Sequence, residues 1–367
     1  MQPKPAMSDG ERIVPLEGIR GIMAWWVVLG HVAHTVGLDI PVIAQNALAV
    51  DVFIILSGFV ITSLIVTKQE AYLPYITRRA LRIFPAYLVV LALSALLLPL
   101  YAQAMLEIPF QTGRNVGRLE QARAALENLP EHLATHMVLL QGLVPNGVLR
   151  DSAYTIVGQA WSISLEWQFY LVAPLVIAAI SSKRFWPFLT LACIALLLLR
   201  PGMSPAFLGA GVFSFGIGIS SYYIYSRAGA VRAFAAAVAV FCAVGTLLLN
   251  GKSQAGPITI WIMGLAIIIK RGDWVIASKG YSFLSLPLLR YLGDRSYSVY
   301  LVHMIPLYLT VWYLNNTGIE RDLYPSLLVL GTVFGTALLS ELSYRHIERP
   351  FIRLGRRIVR KPDALVT

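Results

Sequence analysis

The sequence has 367 residues, of which 57% are hydrophobic and 13% charged, and its formal net charge is +11. Soluble domains average roughly 45–50% apolar and 25% charged residues, so this composition excludes an ordinary water-soluble fold. It predicts an all-α polytopic membrane protein, because helices satisfy their own backbone groups in lipid. The positive residues cluster near the predicted helix ends, which favours contact with membrane lipid and argues against nucleic acid as a partner.

Apolar segments of the length needed for membrane-spanning helices recur along the chain, since a bilayer core of about 30 Å needs roughly 20 helical residues. They cover residues 19–38, 46–67, 81–101, 161–181, 185–200, 206–226, 231–249, 256–270, 294–314 and 325–346. If both termini are cytoplasmic, the basic residues left outside are Arg114, Arg118, Arg123, Arg150, Arg200, Lys252 and Arg321. This inward excess of Lys and Arg predicts a bundle of about ten helices with both termini in the cytoplasm.

One long polar segment, about residues 102–160, is predicted to lie outside. Within it, Val116, Leu119, Ala122 and Leu126 follow a helical spacing, which predicts an amphipathic helix across the outer mouth of the bundle. A solvated connector is an equally good interpretation. We find no repeat and no fused soluble domain, so residues 1–367 are expected to form one integral membrane domain.

Ionisable residues inside the apolar segments are candidate functional groups, since a charge at the bilayer centre costs at least ~2.5–3.5 kcal/mol. On the first helix Arg20 and His31 are eleven residues apart and therefore share one face, with Glu17 within pairing reach of Arg20. A lone histidine is more often a satisfied core imidazole. The shared stripe favours a functional role for His31.

The next two helices add a carboxylate, a hydroxyl and two arginines. Asp51 could orient His31 or simply cap its own helix, and Ser57 precedes a glycine that permits close helix packing. Arg79 and Arg82 lie on one helical face at the predicted cytoplasmic boundary. They are interpreted equally well as topological anchors or as a grip on a phosphorylated ligand.

Two further segments carry polar stripes. In WSISLEWQFYLVAP, Glu166 enters the membrane with Ser162 and Tyr170 one turn away on either side. In LGDRSYSVYLVH, Ser296, Tyr300 and His303 are spaced to share a face that points into the bundle.

Six blocks of sequence together resemble one family. They are LEGIRG followed by His31, AVDVFIILSGF, RRALRIFPAY, WSISLEWQFYL, LGDRSYSVYLVH and SYRHIERPF, in that order along nearly the whole chain. The chain is similar to the membrane-bound acyltransferases called acyltransferase family 3. The resemblance implies transfer of an acyl group, commonly acetyl from cytoplasmic acetyl-CoA, to a hydroxyl of a carbohydrate or another acceptor.

The resemblance also implies roles for particular residues. The family's arginine-x10-histidine motif falls on Arg20 and His31, and its arginine-x-x-arginine motif, associated with the CoA phosphates, falls on Arg79 and Arg82. We take His31, Arg20 and Glu166 as catalytic and the two other arginines as donor-binding. The supporting or acceptor-binding candidates are Glu17, Asp51, Ser57, Tyr297, Tyr300, His303 and Glu348, the last of which could pair with nearby arginines.

Two departures from the family pattern concern acidic residues. Glu17 stands where the family usually has Asp, and the usual acidic pair is here Glu166 and Trp167. Glu166 is therefore the one candidate acid in that block.

The expected mechanism has two forms. His31 either takes the proton of the acceptor hydroxyl or carries the acyl group itself. The expected acceptor is a lipid-linked glycan or another carbohydrate, at a bacterial inner membrane, with acyl-CoA as donor and no metal. A small hydrophobic alcohol fits nearly as well as the acceptor. A membrane transporter that uses the same buried charges is the alternative, a catalytically inactive assembly subunit is a third interpretation, and the oligomeric state stays open.

Overall fold

The computed structural model describes residues 13–358, and within that range it contains helices and no β-strand. Eight of its helical stretches are long and apolar enough to cross a membrane. They are Ala47–Lys68, Tyr72–Leu96, Gly158–Ser181, Lys183–Gly202, Gly229–Asn250, Lys252–Lys270, Ser296–Asn315 and Tyr324–Ile358. The prediction of an all-α, multi-pass membrane protein is confirmed.

The α-helices are numbered in chain order: α1 Val14–Val36, α2 Ala47–Lys68, α3 Tyr72–Leu96, α4 Leu98–Glu107, α5 Gly113–Glu127, α6 Leu129–Met137, α7 Trp161–Ser181, α8 Trp186–Leu199, α9 Leu208–Ser226, α10 Gly229–Asn250, α11 Ala255–Lys270, α12 Val275–Leu284, α13 Pro287–Asp294, α14 Ser296–Val302, α15 Met304–Asn315, α16 Tyr324–Ser343 and α17 Arg349–Ile358. A π-turn over Tyr344–Glu348 joins the last two.

Several predicted spans differ from the helices observed. The first and sixth correspond to α1 and α9, which are helices of 23 and 19 residues but are not among the eight most apolar stretches. The third was placed at 81–101, whereas α3 begins at Tyr72 and ends at Leu96. Its first turns carry arginines, so an apolar pattern does not reveal where it starts. The short helices α12 and α13 were not predicted.

Helices α2 and α9 pack backbone to backbone through facing glycines. A Cβ atom on Gly218 would lie 2.0 Å from the carbonyl oxygen of Ile55, and one on Gly58 would lie 2.6 Å from that of Phe215. Both distances are too short for any side chain, so glycine is required for this approach. The contact confirms the packing role predicted for Gly58.

The predicted amphipathic helix is present as α5, but its buried face differs from the prediction. Val116 and Leu126 are 44% and 41% exposed, while Ala122 is buried as predicted, together with Asn115 and Arg118. The reason is the surface that α5 covers. It packs on the end of α1, whose free carbonyl groups need hydrogen-bond donors, so polar side chains turn inward.

Candidate active site

Two cavities lie along the bundle, and each holds one set of the predicted site residues. The histidine cavity, of about 330 Å³, is lined by His31 together with Arg114, Arg118, Gln121, Tyr154, Gln159 and Tyr300. The arginine cavity, of about 870 Å³, is lined by Arg20, Arg79, Arg82, Glu166, Tyr297 and Tyr300 among others. Both volumes suit small-molecule ligands. Tyr300 lines both, so the two spaces meet at its side chain.

A hydrogen-bonded group marks this meeting point. The Tyr300 hydroxyl donates to the carbonyl oxygen of Gln159 at 2.9 Å and lies 2.7 Å from the Ser162 hydroxyl. Gln159 lines the histidine cavity and Ser162 the arginine cavity. The Ser162 hydroxyl also lies within hydrogen-bond reach of the Gln159 carbonyl oxygen, at 3.5 Å, so either hydroxyl can donate to the other.

Glu166 accepts two hydroxyl donors at the arginine cavity. Ser57 on α2 donates to it at 2.7 Å, and Tyr170, one turn further along α7, donates to the same carboxylate oxygen. The predicted neighbour Tyr170 is therefore present, while Ser162 bonds to Tyr300 instead. The carboxylate holds both hydroxyls in fixed positions.

The arginine cavity contains guanidinium groups without carboxylate partners. Arg78 forms a salt bridge with Glu70, but neither Arg79 nor Arg82 has one within residues 13–358. The Nε atom of Arg79 is buried with no hydrogen-bond partner there. Arg79 and Arg82 are half-buried and form no salt bridge within that range, so the cavity is suited to a negatively charged ligand.

The predicted stripe on α1 is divided between the two cavities. Arg20 lines the arginine cavity and bonds to Glu17 at 3.3 Å, as predicted, while His31 lines the histidine cavity. Neither role considered for Asp51 is observed, since it makes no bond to His31 and the N-cap of α2 is Asn46. Asp51 accepts a hydrogen bond from Gln254 at 2.9 Å, because the following helices bring that amide to the end of α2.

His303 packs against His31, with ring centroids 5.2 Å apart. Its Nδ1 donates to the carbonyl oxygen of Tyr300 at 2.7 Å, because a carbonyl oxygen can only accept. Its Nε2 is buried and has no hydrogen-bond partner in the described part of the chain. The neutral ring therefore holds an available lone pair close to His31.

The remaining predicted residues lie at the arginine cavity end of the bundle. Tyr297 donates to the carbonyl oxygen of Ile83 at 2.7 Å, which fixes its ring against α3. Glu348 accepts from Ser298 at 2.8 Å. Glu348 is buried within the π-turn and forms no salt bridge among residues 13–358, whereas Glu341 pairs with Arg295.

The residue that sequence reasoning missed is Arg118. Its Nη2 lies 3.0 Å from Nδ1 of His31. The sequence predicts Arg118 only as one of the few external basic residues. The available signal was the spacing of Asn115, Arg118 and Ala122 on one face of α5, which the more apolar face obscured.

Similarity to a known protein family identifies what kind of protein this is. A model of the acyltransferase domain called Acyl_transf_3 matches residues 13–341. The chain belongs to acyltransferase family 3. It is therefore an acyltransferase, so the interpretation as an enzyme replaces the interpretation as a transporter.

This acyltransferase has distant characterised relatives. It is 23% identical over 343 residues to the exopolysaccharide production protein ExoZ of Rhizobium meliloti, covering 90% of this chain and 96% of the relative. It is 26% identical over 376 residues to the O-acetyltransferase OatA of Staphylococcus aureus, covering 93% of this chain. The chain spans 58% of the length of OatA. No solved structure matches it.

The two cavities differ in the chemical groups that line them. No group of three or more His, Cys, Asp or Glu residues that could hold a metal ion occurs between residues 13 and 358. What the two cavities offer is a cationic end, a hydroxyl-rich junction at Tyr300 and an imidazole at His31. That order suits a substrate with a charged end and a reactive group some distance away.

Proposed function

We propose that this acyltransferase moves an acyl group, most simply acetyl, from acyl-CoA to a hydroxyl of a carbohydrate acceptor at a bacterial inner membrane. The observation that carries the proposal is that Tyr300 lines both cavities and so connects the arginine end with His31. The names of the relatives, an exopolysaccharide production protein and an O-acetyltransferase, support a glycan acceptor. We infer that one membrane bundle brings donor and acceptor together, and that the acceptor is a lipid-linked glycan.

In this proposal, Arg79 and Arg82 bind the acyl donor. CoA carries several phosphate groups, and guanidinium groups bind phosphate through paired, charge-assisted hydrogen bonds. The excess of Lys and Arg at one side of the bundle supports a cytoplasmic opening for this cavity. From there the pantetheine arm passes Glu166 and reaches Tyr300, where the thioester comes close to His31.

In this proposal, His31 activates the acceptor for transfer of the acyl group. The acceptor oxygen attacks the thioester carbonyl, His31 takes the hydroxyl proton, the carbon–sulfur bond breaks, and the proton passes to the departing CoA thiolate. In the alternative order, His31 attacks first and an acyl-histidine then transfers to the hydroxyl. Single-turnover mixing of the protein with labelled acetyl-CoA, without acceptor, separates these orders, because only the second leaves label on His31.

The test uses the purified protein in lipid vesicles, supplied with acetyl-CoA labelled in the acetyl group. Release of CoA and transfer of label to glycan or lipid are measured for the wild type, His31→Ala and the matched control His34→Ala. We expect loss of a general base to lower the rate by about 10²–10⁴-fold in the first variant and little change in the control. Normal transfer by His31→Ala, at normal protein levels, would refute the assignment.

A further inference from the structure

Arg118 fixes the position of the proton on His31. A guanidinium group has only N–H donors, so Nδ1 of His31 must accept the 3.0 Å hydrogen bond from Arg118. A neutral imidazole has one proton and one lone pair. With the lone pair on Nδ1 engaged, the proton is on Nε2, and within residues 13–358 no other hydrogen bond is made to this ring.

Arg118 is held in this position by the same helix end that presents His31. Its Nη1 donates to Thr35 Oγ1 at 2.7 Å, and that hydroxyl donates to the carbonyl oxygen of His31 at 2.7 Å. Asn115 ties α5 to α1 through the carbonyl oxygen of Thr35 at 2.8 Å and accepts from Arg118 at 3.3 Å. Arg118 is 9% exposed. The contact is therefore part of a buried network and not a surface encounter.

This hydrogen bond stops His31 from acting as a base at either nitrogen. If Nδ1 is to take a proton, the acceptor hydroxyl must first replace Arg118. If Nε2 is to take a proton, its own proton must first leave and settle on Nδ1, which again requires Arg118 to withdraw. For the same reason His31 cannot take a proton from a water molecule in the cavity, so a bound acyl-CoA is protected from hydrolysis.

The lining of the histidine cavity indicates what could draw Arg118 away. Arg114 lines the same cavity one turn earlier on α5, and no Asp or Glu is among its lining residues. A carboxylate or phosphate is the ligand that two guanidinium groups bind best. An acceptor carrying such a group would compete directly for Arg118.

We propose that Arg118 is a positioning residue that keeps His31 from acting as a base until an acceptor bearing a carboxylate or phosphate draws the guanidinium off Nδ1. The inference rests on the proposed function and names its acceptor class. The acceptor O–H then takes the vacated place at Nδ1, its oxygen bonds to the acyl carbon as the carbon–sulfur bond breaks, and the proton moves to Nδ1. The imidazolium returns a proton to the CoA thiolate.

The first experiment measures CoA release from acetyl-CoA in vesicles without any sugar. Arg118→Met should raise this hydrolysis by about 10-fold, the modest part of what a freed general base supplies, while Arg118→Lys retains a donor and stays near wild type. Arg123→Met, an exposed arginine on the same helix, is the matched control. A fall in hydrolysis in Arg118→Met, in a protein that remains folded, would overturn the proposal.

A variant with a milder change guards against misfolding. Thr35→Val removes one of the two side chains that hold Arg118 and should raise sugar-free hydrolysis in the same direction by a smaller factor. His31→Ala combined with Thr35→Val should abolish the increase. An increase that survives the loss of His31 would contradict the proposed link.

The second experiment compares glucuronate and glucose 1-phosphate with neutral glucose as acceptors. We expect the charged sugars to be acetylated about 10-fold faster than glucose by the wild type, equal to ~1.4 kcal/mol, and this preference to disappear in Arg118→Met. A response to glucuronate alone assigns a carboxylate, and a response to glucose 1-phosphate alone assigns a phosphate. Equal rates for all three sugars would overturn the acceptor class.

The role of His31 and the role of Arg118 can be refuted separately. If wild type and His31→Ala transfer acetyl to the acceptor sugars at equal rates, the role of His31 in the proposed function is wrong. If His31 is required but Arg118→Met behaves as the wild type, the function stands and the role of Arg118 is wrong.

Discussion

Tyr300 on α14 and Ser162 on α7 share a hydrogen bond of 2.7 Å at the point where the arginine and histidine cavities meet. The two residues are far apart in sequence and come from the two polar stripes predicted for α7 and α14. Their contact makes the junction a defined polar surface within an otherwise apolar bundle.

Tyr300→Phe should lower the maximal rate of acyl transfer by about 10-fold with little change in the KM for acyl-CoA. The arginines proposed to bind the donor are unchanged, while the hydroxyl proposed to align the thioester is lost. Steady-state kinetics in vesicles check this, with Tyr313→Phe as control since that ring is 61% exposed. A rise in KM at constant maximal rate would place Tyr300 in donor binding instead.

Arg82→Gln should raise the KM for acetyl-CoA by about 10-fold or more, since a charge-assisted hydrogen bond contributes ~1.5–3 kcal/mol. Arg79→Gln should act in the same direction. The exposed Arg353 on α17 provides the control Arg353→Gln.

A shorter donor tests whether Arg82 binds the phosphates of CoA. Acetyl-pantetheine lacks the nucleotide phosphates, so wild type and Arg82→Gln should use it equally well. If the variant is as impaired with the short donor as with acetyl-CoA, the guanidinium does not bind phosphate.

Ser57→Ala and Tyr170→Phe should each lower transfer, and the double variant should lose less than the product of the two effects, because both hydroxyls bond to one Glu166 oxygen. The coupling is measured by a double-mutant cycle on acyl transfer. Ser181→Ala is the control on α7, since its hydroxyl donates to the carbonyl oxygen of Ile177 in the same helix. Strictly multiplicative effects would show that the two hydroxyls act independently.

Gly218→Ala should destabilise the protein by about 1–3 kcal/mol, the usual range for overpacking a close contact. The added Cβ would lie 2.0 Å from the backbone of Ile55, so α2 and α9 must separate. Thermal unfolding in detergent measures the loss. Gly113→Ala serves as control, because no atom lies within 4 Å of its added Cβ, and an unchanged melting temperature for Gly218→Ala would contradict the packing described.

His136 should make the stability pH-dependent. It lies outside the membrane-spanning helices, and burial lowers its pKa from 6.5 to about 4. Its Nε2 donates to the carbonyl oxygen of Ser152 at 3.0 Å, and its Nδ1 accepts from Tyr87 at 3.1 Å. Since the unfolded chain takes up the proton first, stability is full above pH 6.5 and falls as the pH decreases towards 4.

The expected loss between pH 8 and pH 5 is about 2 kcal/mol from this group. His136→Gln keeps one donor and one acceptor and does not titrate, so its melting temperature should fall less over the same interval. His132 has a lowered pKa for the same reason of burial and contributes in both proteins. An equal fall in wild type and His136→Gln would exclude His136 as the cause.

The sequence determined the class of fold and the residues at which chemistry had to be sought. Apolar segments of spanning length specify helices in lipid whatever their neighbours are, and an ionisable group within such a segment requires a partner. His31 and Glu166 are singled out in this way, whereas Arg79 and Arg82 are singled out by their shared helical face together with the family motif. The bond between Glu17 and Arg20 is local to one helix, so spacing alone predicted it.

Tertiary structure decided the partners that come from distant segments. Arg118 is 87 residues from His31, and Ser57 is 109 residues from Glu166. Helical spacing shows which side chains share a face, but not which face of another helix they meet. That depends on helix rotation and on close contacts such as those of Gly58 and Gly218. The same packing brings Gln254 to Asp51 and places Arg118, instead of a carboxylate, against the imidazole of His31.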